Sequence, residues 1–126
     1  GGKLVDPSVE DLICKESAVA GITRRVFTEA EIQHRLVLAM VNEATDILAD
    51  GIAQNAADID LVTIHGYGFP RWRGGLMHYA DQIGVSDILG HLRSFAEEDP
   101  LMWRPSPVIV DCAEKHISLA AWHRAE

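Results

Sequence analysis

The chain is poor in cysteine and basic residues and has no long apolar run. Its 126 residues include two cysteines, Cys14 and Cys112, which without a secretion signal are typical of free thiols. Lys and Arg number 11 against 19 Asp and Glu, a net charge of −8, and such a charge disfavours nucleic acid as a partner. No stretch approaches the roughly 20 apolar residues of a membrane-spanning helix, and no basic-then-apolar leader is present. We therefore expect a cytoplasmic protein with no membrane span.

Alternating strand patterns are also missing, and helical spacing dominates the first half of the chain. Asp6-Pro7 is typical of a helix start, and Gly21 of the stop that follows it. Thr28 and Glu31 form a capping box that predicts the longest and best-buried helix, ending at Gly51. Its predicted inward stripe is Ile32, Leu36, Met40, Ala44 and Leu48, widened by Val37, Val41 and Ile47.

The second half has further helix signals around a glycine-rich segment. Asn55 predicts the cap of a helix ending at Gly66, with Asp58 and Asp60 near its positive end, although a strand is the rival interpretation of its short apolar cluster. Later helices are expected from Leu76 to Gly84, after a Ser86 cap, and from Ser106-Pro107. The predicted fold class is all-α, a compact bundle of about five or six helices.

The glycine-rich segment contains the start of a dinucleotide-binding pattern. Gly66-Tyr67-Gly68 begins like G-x-G-x-x-G, but Arg71 stands where the third glycine belongs. The segment also follows a helical pattern, whereas that fingerprint follows a strand. We therefore interpret it as a helix stop and a tight corner, both using left-handed glycine angles.

Two arginines in this segment suggest either an anion site or an interface. Arg71 and Arg73 precede Gly74-Gly75, and the free N–H groups of a following helix can hold a phosphate or carboxylate. In the alternative interpretation the arginines pair with acidic groups, including those of a neighbouring domain, while Phe69 and Trp72 pack. Arg and Trp together are typical of buried contact surfaces, so the interface interpretation is favoured.

No self-contained catalytic or metal-binding constellation is visible. None of the six histidines lies in an H-E-x-x-H pattern, and no serine lies in a G-x-S-x-G elbow. Cys112 and His116 would share a helix face, which supplies two of the four ligands of a structural zinc site. We therefore assign no catalytic, cofactor-binding or metal-binding residue.

Several motifs together resemble a known family. They are Gly21-Ile22 with Arg24-Arg25, Met40-Val41-Asn42-Glu43-Ala44, Asp58-Ile59-Asp60, Gly66-Tyr67-Gly68-Phe69-Pro70, Trp72-Arg73-Gly74-Gly75 and Tyr79-Ala80-Asp81. In this order and spacing the chain resembles, from about Val5 to His116, the C-terminal helical region of 3-hydroxyacyl-CoA dehydrogenases. Specifically, it resembles the second helical repeat of multifunctional fatty-acid oxidation enzymes, in which an enoyl-CoA hydratase is fused to the dehydrogenase.

The resemblance implies a fold like the C-terminal domain of 6-phosphogluconate dehydrogenase. It also implies that NAD and the catalytic His–Glu pair belong to an upstream Rossmann domain of a parent enzyme. An Asn in the first helical repeat of the family orients the acyl-CoA substrate, and His34 stands at that position here. The resemblance therefore implies a repeat kept for packing, which takes the place of a partner subunit in the fused enzymes.

These observations give one prediction of organisation and function. Residues 1–26 are expected to form an N-terminal helix and connecting segment, and 27–126 the helical domain. The domain is expected to be non-catalytic and to serve domain packing, pseudo-dimerisation and active-site closure beside the Rossmann and first helical domains. The alternatives are a domain that contacts a CoA phosphate, or a free-standing oligomerisation module that self-associates. The residues predicted to face the partner domain, or a ligand, are Phe69, Pro70, Arg71, Trp72, Arg73, Gly74 and Gly75.

Overall fold

A computed structural model describes residues 6–124 of the chain, and within them every regular element is helical. Gly1, Gly2 and Val5, and the last two residues of the predicted domain, lie outside this range. The six α-helices confirm the all-α prediction over the strand alternative, and none is long and apolar enough to cross a membrane. They are α1 (Pro7–Val19), α2 (Glu29–Ala49), α3 (Ala56–Gly66), α4 (Leu76–Ile83), α5 (Val85–Ala96) and α6 (Pro107–Lys115), with 3₁₀ turns at Arg71–Arg73 and Leu119–Ala121.

The chain divides into two compact units, and the first, Gly1–Ile32, contains α1. The carboxylate of Asp6 accepts the Ser8 N–H at 2.9 Å, which confirms the predicted cap. Gly21 follows the helix with φ 69°, the left-handed angle that a helix stop requires. Thr28 and Glu31 exchange hydrogen bonds of 3.0 and 3.2 Å, which confirms the capping box of α2. No residue of α1 is buried.

The second unit, Gln33–Glu126, holds the hydrophobic core. All five of its helices contribute buried side chains, and the second 3₁₀ turn adds Leu119. Burying such side chains removes apolar surface from water and supplies most of the stabilisation of a domain this size. The largest fully buried apolar side chains are Leu38, Val41, Leu76, Met77, Ile88, Leu92, Val108, Ile109 and Leu119.

The predicted inward stripe of α2 is wrong in its first half. Leu36 and Met40 are exposed at 61% and 41%, whereas Leu38 is fully buried. The predicted stripe advanced four residues at a time, and each such step turns 40° around a helix of 3.6 residues per turn. The stripe therefore crosses from the outer face to the core, which it reaches at Ala44 and Leu48.

Three helix ends differ in detail from the sequence prediction. Ser86 is not the cap of α5, because the helix begins at Val85 and the cap is Gly84 at φ 102°. Ser106 does occupy the cap position of α6, but its hydroxyl makes no capping bond. The left-handed residue after α3 is Gly68, with φ 72°, and Gly66 is still helical. Gly51, at φ 71°, ends α2 as predicted.

Candidate functional site

The corner segment, residues 69–75, runs from the end of α3 to the start of α4. Pro70 leads into a single 3₁₀ turn, in which Arg73 donates its N–H to the Pro70 carbonyl at 3.0 Å. Gly74 then takes a left-handed angle of φ 78° and donates to the Arg71 carbonyl at 3.0 Å. The chain reverses here without a side-chain cap, so the conformational freedom of glycine makes the turn possible.

The two aromatic residues of the corner segment have opposite environments. Phe69 packs against the core, and its ring centroid lies 6.2 Å from that of Tyr79. Its N–H donates to the Thr63 carbonyl at 2.9 Å. Trp72, by contrast, is 78% exposed. Of the two aromatics expected to pack, Phe69 packs against the core, whereas Trp72 is mostly exposed among residues 6–124.

Arg73 lies between two aromatic rings. Its guanidinium carbon is 4.3 Å from the ring centroid of Trp72 and 4.2 Å from that of Tyr79. Both distances are within the range of a cation–π contact. Arg71 beside it is exposed, and no Asp or Glu occurs from Leu61 to Ala80. The corner therefore presents two guanidinium groups and an exposed aromatic ring, with the carboxylate of Asp60 behind it at Gly75.

The start of α4 is not open to an anion, contrary to one interpretation of Gly74-Gly75. The carboxylate of Asp60 accepts the Met77 N–H at 2.6 Å and the His78 N–H at 3.3 Å. The Leu76 N–H donates to the Thr63 hydroxyl at 3.4 Å. The first-turn N–H groups that would hold a phosphate are already satisfied by α3. Of the proposed anion site, only the side chains of Arg71 and Arg73 are left to bind an anion.

Asp60 therefore has a different role from the one predicted. Asp58 does lie in the first turn of α3, where it completes a capping box with Asn55, but Asp60 caps the next helix. Its pKa is raised, because burial outweighs the hydrogen bonds from Met77 and His78. Asp81 performs a similar task on the second 3₁₀ turn, where it accepts N–H groups of Leu119 at 2.7 Å and Ala120 at 3.1 Å.

His34, the position that departs from the family pattern, is turned toward α5. Its ring centroid lies 4.5 Å from that of His91, and its Nε2 is buried. The His34 ring therefore makes its contacts inside the helical domain. That environment supports a packing role for His34 over contact with a substrate.

A cleft of about 320 Å³, which sequence analysis did not find, lies where Asp81 and Ser86 face Cys112, His116 and Ser118. Burial raises the pKa of the Cys112 thiol to about 11, so it is protonated at neutral pH and unsuited to nucleophilic chemistry. Cys112 is a free thiol, as is Cys14 in the first unit. Within residues 6–124 no three His, Cys, Asp or Glu side chains are grouped as metal ligands.

Comparison with known proteins identifies the same family over most of the chain. Residues 32–117 match the family of the 3-hydroxyacyl-CoA dehydrogenase C-terminal domain. A peroxisomal bifunctional enzyme of Danio rerio is 39% identical over 106 residues, covering 82% of this chain and 15% of the relative. The human protein of that name is 35% identical over 95 residues, 75% of this chain and 13% of the relative.

A plant relative extends the match further along the chain. The glyoxysomal fatty acid beta-oxidation multifunctional protein of Brassica napus is 33% identical over 120 residues, which is 92% of this chain and 17% of the relative. This chain thus spans less than a fifth of the length of these relatives. The helical architecture and the sequence match agree, and the chain belongs to the family of 3-hydroxyacyl-CoA dehydrogenase C-terminal domains.

Proposed function

We propose that this chain is a non-catalytic helical domain of an NAD-dependent 3-hydroxyacyl-CoA dehydrogenase of fatty-acid β-oxidation. Its proposed tasks are packing against the parent's other domains, pseudo-dimerisation and closure of the active site. The parent would oxidise a 3-hydroxyacyl-CoA to the 3-ketoacyl-CoA, with a His base upstream that removes the hydroxyl proton. Relatives named as bifunctional and multifunctional enzymes support a parent with more than one activity, and the resemblance implies that the second is an enoyl-CoA hydratase.

The exposed Trp72 is the observation that carries this proposal. It is 78% exposed, yet the turn that presents it is held by the Asp60 hydrogen bond to Met77 and by Phe69, which packs against the core. A large aromatic side chain on a fixed turn costs little backbone freedom when a partner covers it. We propose that the corner segment, Phe69 to Gly75, faces the first helical domain and the mouth of the acyl-CoA cleft.

NAD does not fit the described residues of this chain. Gly66 is the last residue of helix α3 and Tyr67-Gly68 come directly after it, whereas the dinucleotide fingerprint follows a strand. The helix start that comes after it is already capped by Asp60 and Thr63. We therefore propose that the cofactor of the parent is held by its Rossmann domain, and that no residue of this chain takes part in hydride transfer.

The docking role can be tested with Trp72→Ala. The 126-residue chain is titrated onto the remainder of the parent enzyme, which is prepared without this segment. We expect the variant to bind at least about tenfold more weakly, as for an interface hot spot. Leu101→Ala is the matched control, because Leu101 is 92% exposed but lies outside the corner segment. Equal affinity of the Trp72 variant and the unchanged chain would refute the proposal.

A CoA-phosphate contact is the second candidate, supported by Arg71 and by the stacked Arg73. Charge-neutral variants Arg71→Gln and Arg73→Gln in the whole enzyme separate the two functions. A raised KM for CoA substrates with intact assembly would favour ligand binding, whereas loss of assembly would favour an interface. Because Asp60 already caps the start of α4, the N–H groups of that helix do not contribute to a phosphate contact.

A free-standing oligomerisation module is the third candidate. Sedimentation of the isolated chain tests whether it self-associates, and the length of the native reading frame tests whether it stands alone. Relatives several times longer than this chain favour the parent enzyme over this candidate.

The domain boundary and the location of the parent stay predictions. A chain beginning at Phe27 should unfold with the same midpoint as the full chain if 27–126 is the domain. The relatives described above are named as peroxisomal or glyoxysomal proteins, whereas the sequence led us to expect the cytoplasm. Fractionation of cells that express the parent would decide between these compartments.

A further inference from the structure

Helices α2 and α5 meet through three aromatic rings, which we call the histidine joint: His34, His91 and Phe95. The rings of His34 and His91 lie 4.5 Å apart between centroids, with their planes at 80°. Phe95 lies one turn after His91, and its centroid is 6.2 Å from each histidine ring. The contact thus places two titratable groups against each other where the two helices pack.

The environment of His34 suits only its neutral form. Its Nε2 is buried and has no hydrogen-bond partner within the described part of the chain. An imidazolium carries a proton on both ring nitrogens, so a charged His34 would bury a donor without an acceptor. Burial, and then the proximity of His91, lower the pKa of His34.

The charged groups around the joint do not compensate a positive charge on His34. On α2, Arg35 pairs with Glu98 at 2.7 Å, and its guanidinium carbon lies 4.1 Å over the Phe95 ring. Glu98 follows α5 and is engaged by this ion pair with Arg35. Among residues 6–124 no carboxylate forms an ion pair with His34 or His91.

We infer that the histidine joint is an acid-sensitive contact, which opens when His34 takes up a proton. The Nε2–H of a charged His34 can find an acceptor only if the turns of α2 after Gln33 separate from α5. Leu36 and Met40 lie on the outer face of the same turns, so the exposed apolar surface of α2 moves with them.

Amide hydrogen exchange of the 126-residue chain, measured by NMR at about pH 7 and about pH 5, tests this inference. After correction for the intrinsic exchange rate, we expect protection of amides 37–41 to fall about tenfold more than protection in α6. His34→Phe keeps a ring in the joint but cannot titrate, and it should remove this difference. His65→Gln is the control, because His65 is an exposed histidine at the end of α3 and should leave the difference unchanged.

Two results would overturn the inference. One is an equal loss of protection in α2 and α6, which would indicate general acid destabilisation. The other is a difference of unchanged size in His34→Phe. If that variant does not fold, His91→Gln provides the same test at an exposed position. In His91→Gln the proximity of a second histidine no longer lowers the pKa of His34, so the α2-specific loss should be smaller than in the unchanged chain, and a full tenfold loss would contradict the inference.

Discussion

The carboxylate of Asp60 accepts the N–H of Met77 at 2.6 Å, across a separation of 17 positions. Gly75 makes this approach possible, since it is buried at φ 110° and a Cβ there would overlap the Asp60 side chain. The two residues join the start of α4 to the side of α3. The turn that presents Trp72 and Arg73 therefore depends on the carboxylate of Asp60 and on having glycine, with no side chain, at position 75.

A side chain at position 75 should break this arrangement. Gly75→Ala combines an unfavourable positive φ with overlap onto Asp60, so we expect it to lower the free energy of unfolding by about 2 kcal/mol or more. Urea denaturation measures the loss. Gly90→Ala is the matched control, because Gly90 lies within α5 and a Cβ there meets nothing within 4 Å.

The control should change stability in the opposite direction. Alanine within an exposed helix is favoured over glycine by roughly 0.5–1 kcal/mol, so Gly90→Ala should raise the free energy of unfolding. Equal stability of the Gly75→Ala and unchanged chains would show that Asp60 and Gly75 do not determine the geometry of the corner.

The raised pKa of Asp60 predicts an unusual response to pH. Burial makes the folded chain hold the Asp60 proton more tightly than the unfolded chain does. The stability from this group is therefore present below the ordinary aspartate range and is lost as the pH rises through the raised value. Asp60→Asn cannot titrate and serves as the reference. As the pH falls from about 7 to about 4, the free energy of unfolding of the unchanged chain should rise relative to that of Asp60→Asn.

Paired urea titrations of the two chains at those pH values measure this difference. A gain for the unchanged chain on acidification fits a carboxyl whose burial outweighs its hydrogen bonds. The opposite sign would mean that the N–H groups of Met77 and His78 dominate, and that the folded state prefers the carboxylate.

Local signals in the sequence were enough to predict the helices. Asp6, the Thr28–Glu31 pair and the Asn55–Asp58 pair each cap their own helix, and such caps act over three residues or fewer. Asp60 could not be assigned in the same way, because it caps a helix that begins after a long turn. The adjacent Gly74-Gly75 was the available signal, since a second glycine before a helix indicates that something approaches its backbone.

Asp81 caps the second 3₁₀ turn across an even longer separation, and it should be equally important. Asp81→Ala removes hydrogen bonds to the N–H groups of Leu119 and Ala120, leaving donors beside a fully buried Leu119. We expect a loss of about 1.5–3 kcal/mol, the range for a hydrogen bond to a charged group.

Thermal unfolding monitored by circular dichroism measures the Asp81 effect. Glu114→Ala provides the comparison, because Glu114 is exposed on α6 and should change stability by no more than about 0.5 kcal/mol. A similar small change for Asp81→Ala would mean that water replaces the carboxylate at the 3₁₀ turn.

The first half of the predicted α2 stripe lies on the outer face, and the prediction failed there because both faces of the helix carry apolar side chains. Spacing alone cannot tell a face that packs within the chain from one that is exposed in it. The buried face also contains Asn42, whose side chain donates to the Arg104 carbonyl at 2.9 Å and accepts the Ser106 N–H at 2.9 Å. Because Asn42 is polar, it interrupts the apolar pattern of the buried face of α2, even though its hydrogen bonds fix the start of α6.

Two leucines of α2 test this assignment of faces. Leu38 is fully buried, so Leu38→Ala should lower the free energy of unfolding by about 2–5 kcal/mol through lost burial and the cavity that it leaves. Leu36 is 61% exposed, so Leu36→Ala should change it by less than about 0.5 kcal/mol. Urea denaturation of the isolated chain compares the two, and a larger loss for Leu36 would restore the stripe predicted from sequence. If the outer face instead packs in the parent enzyme, Leu36→Ala should weaken docking while leaving the isolated chain stable, because the same methyl groups would be buried only in the assembled protein.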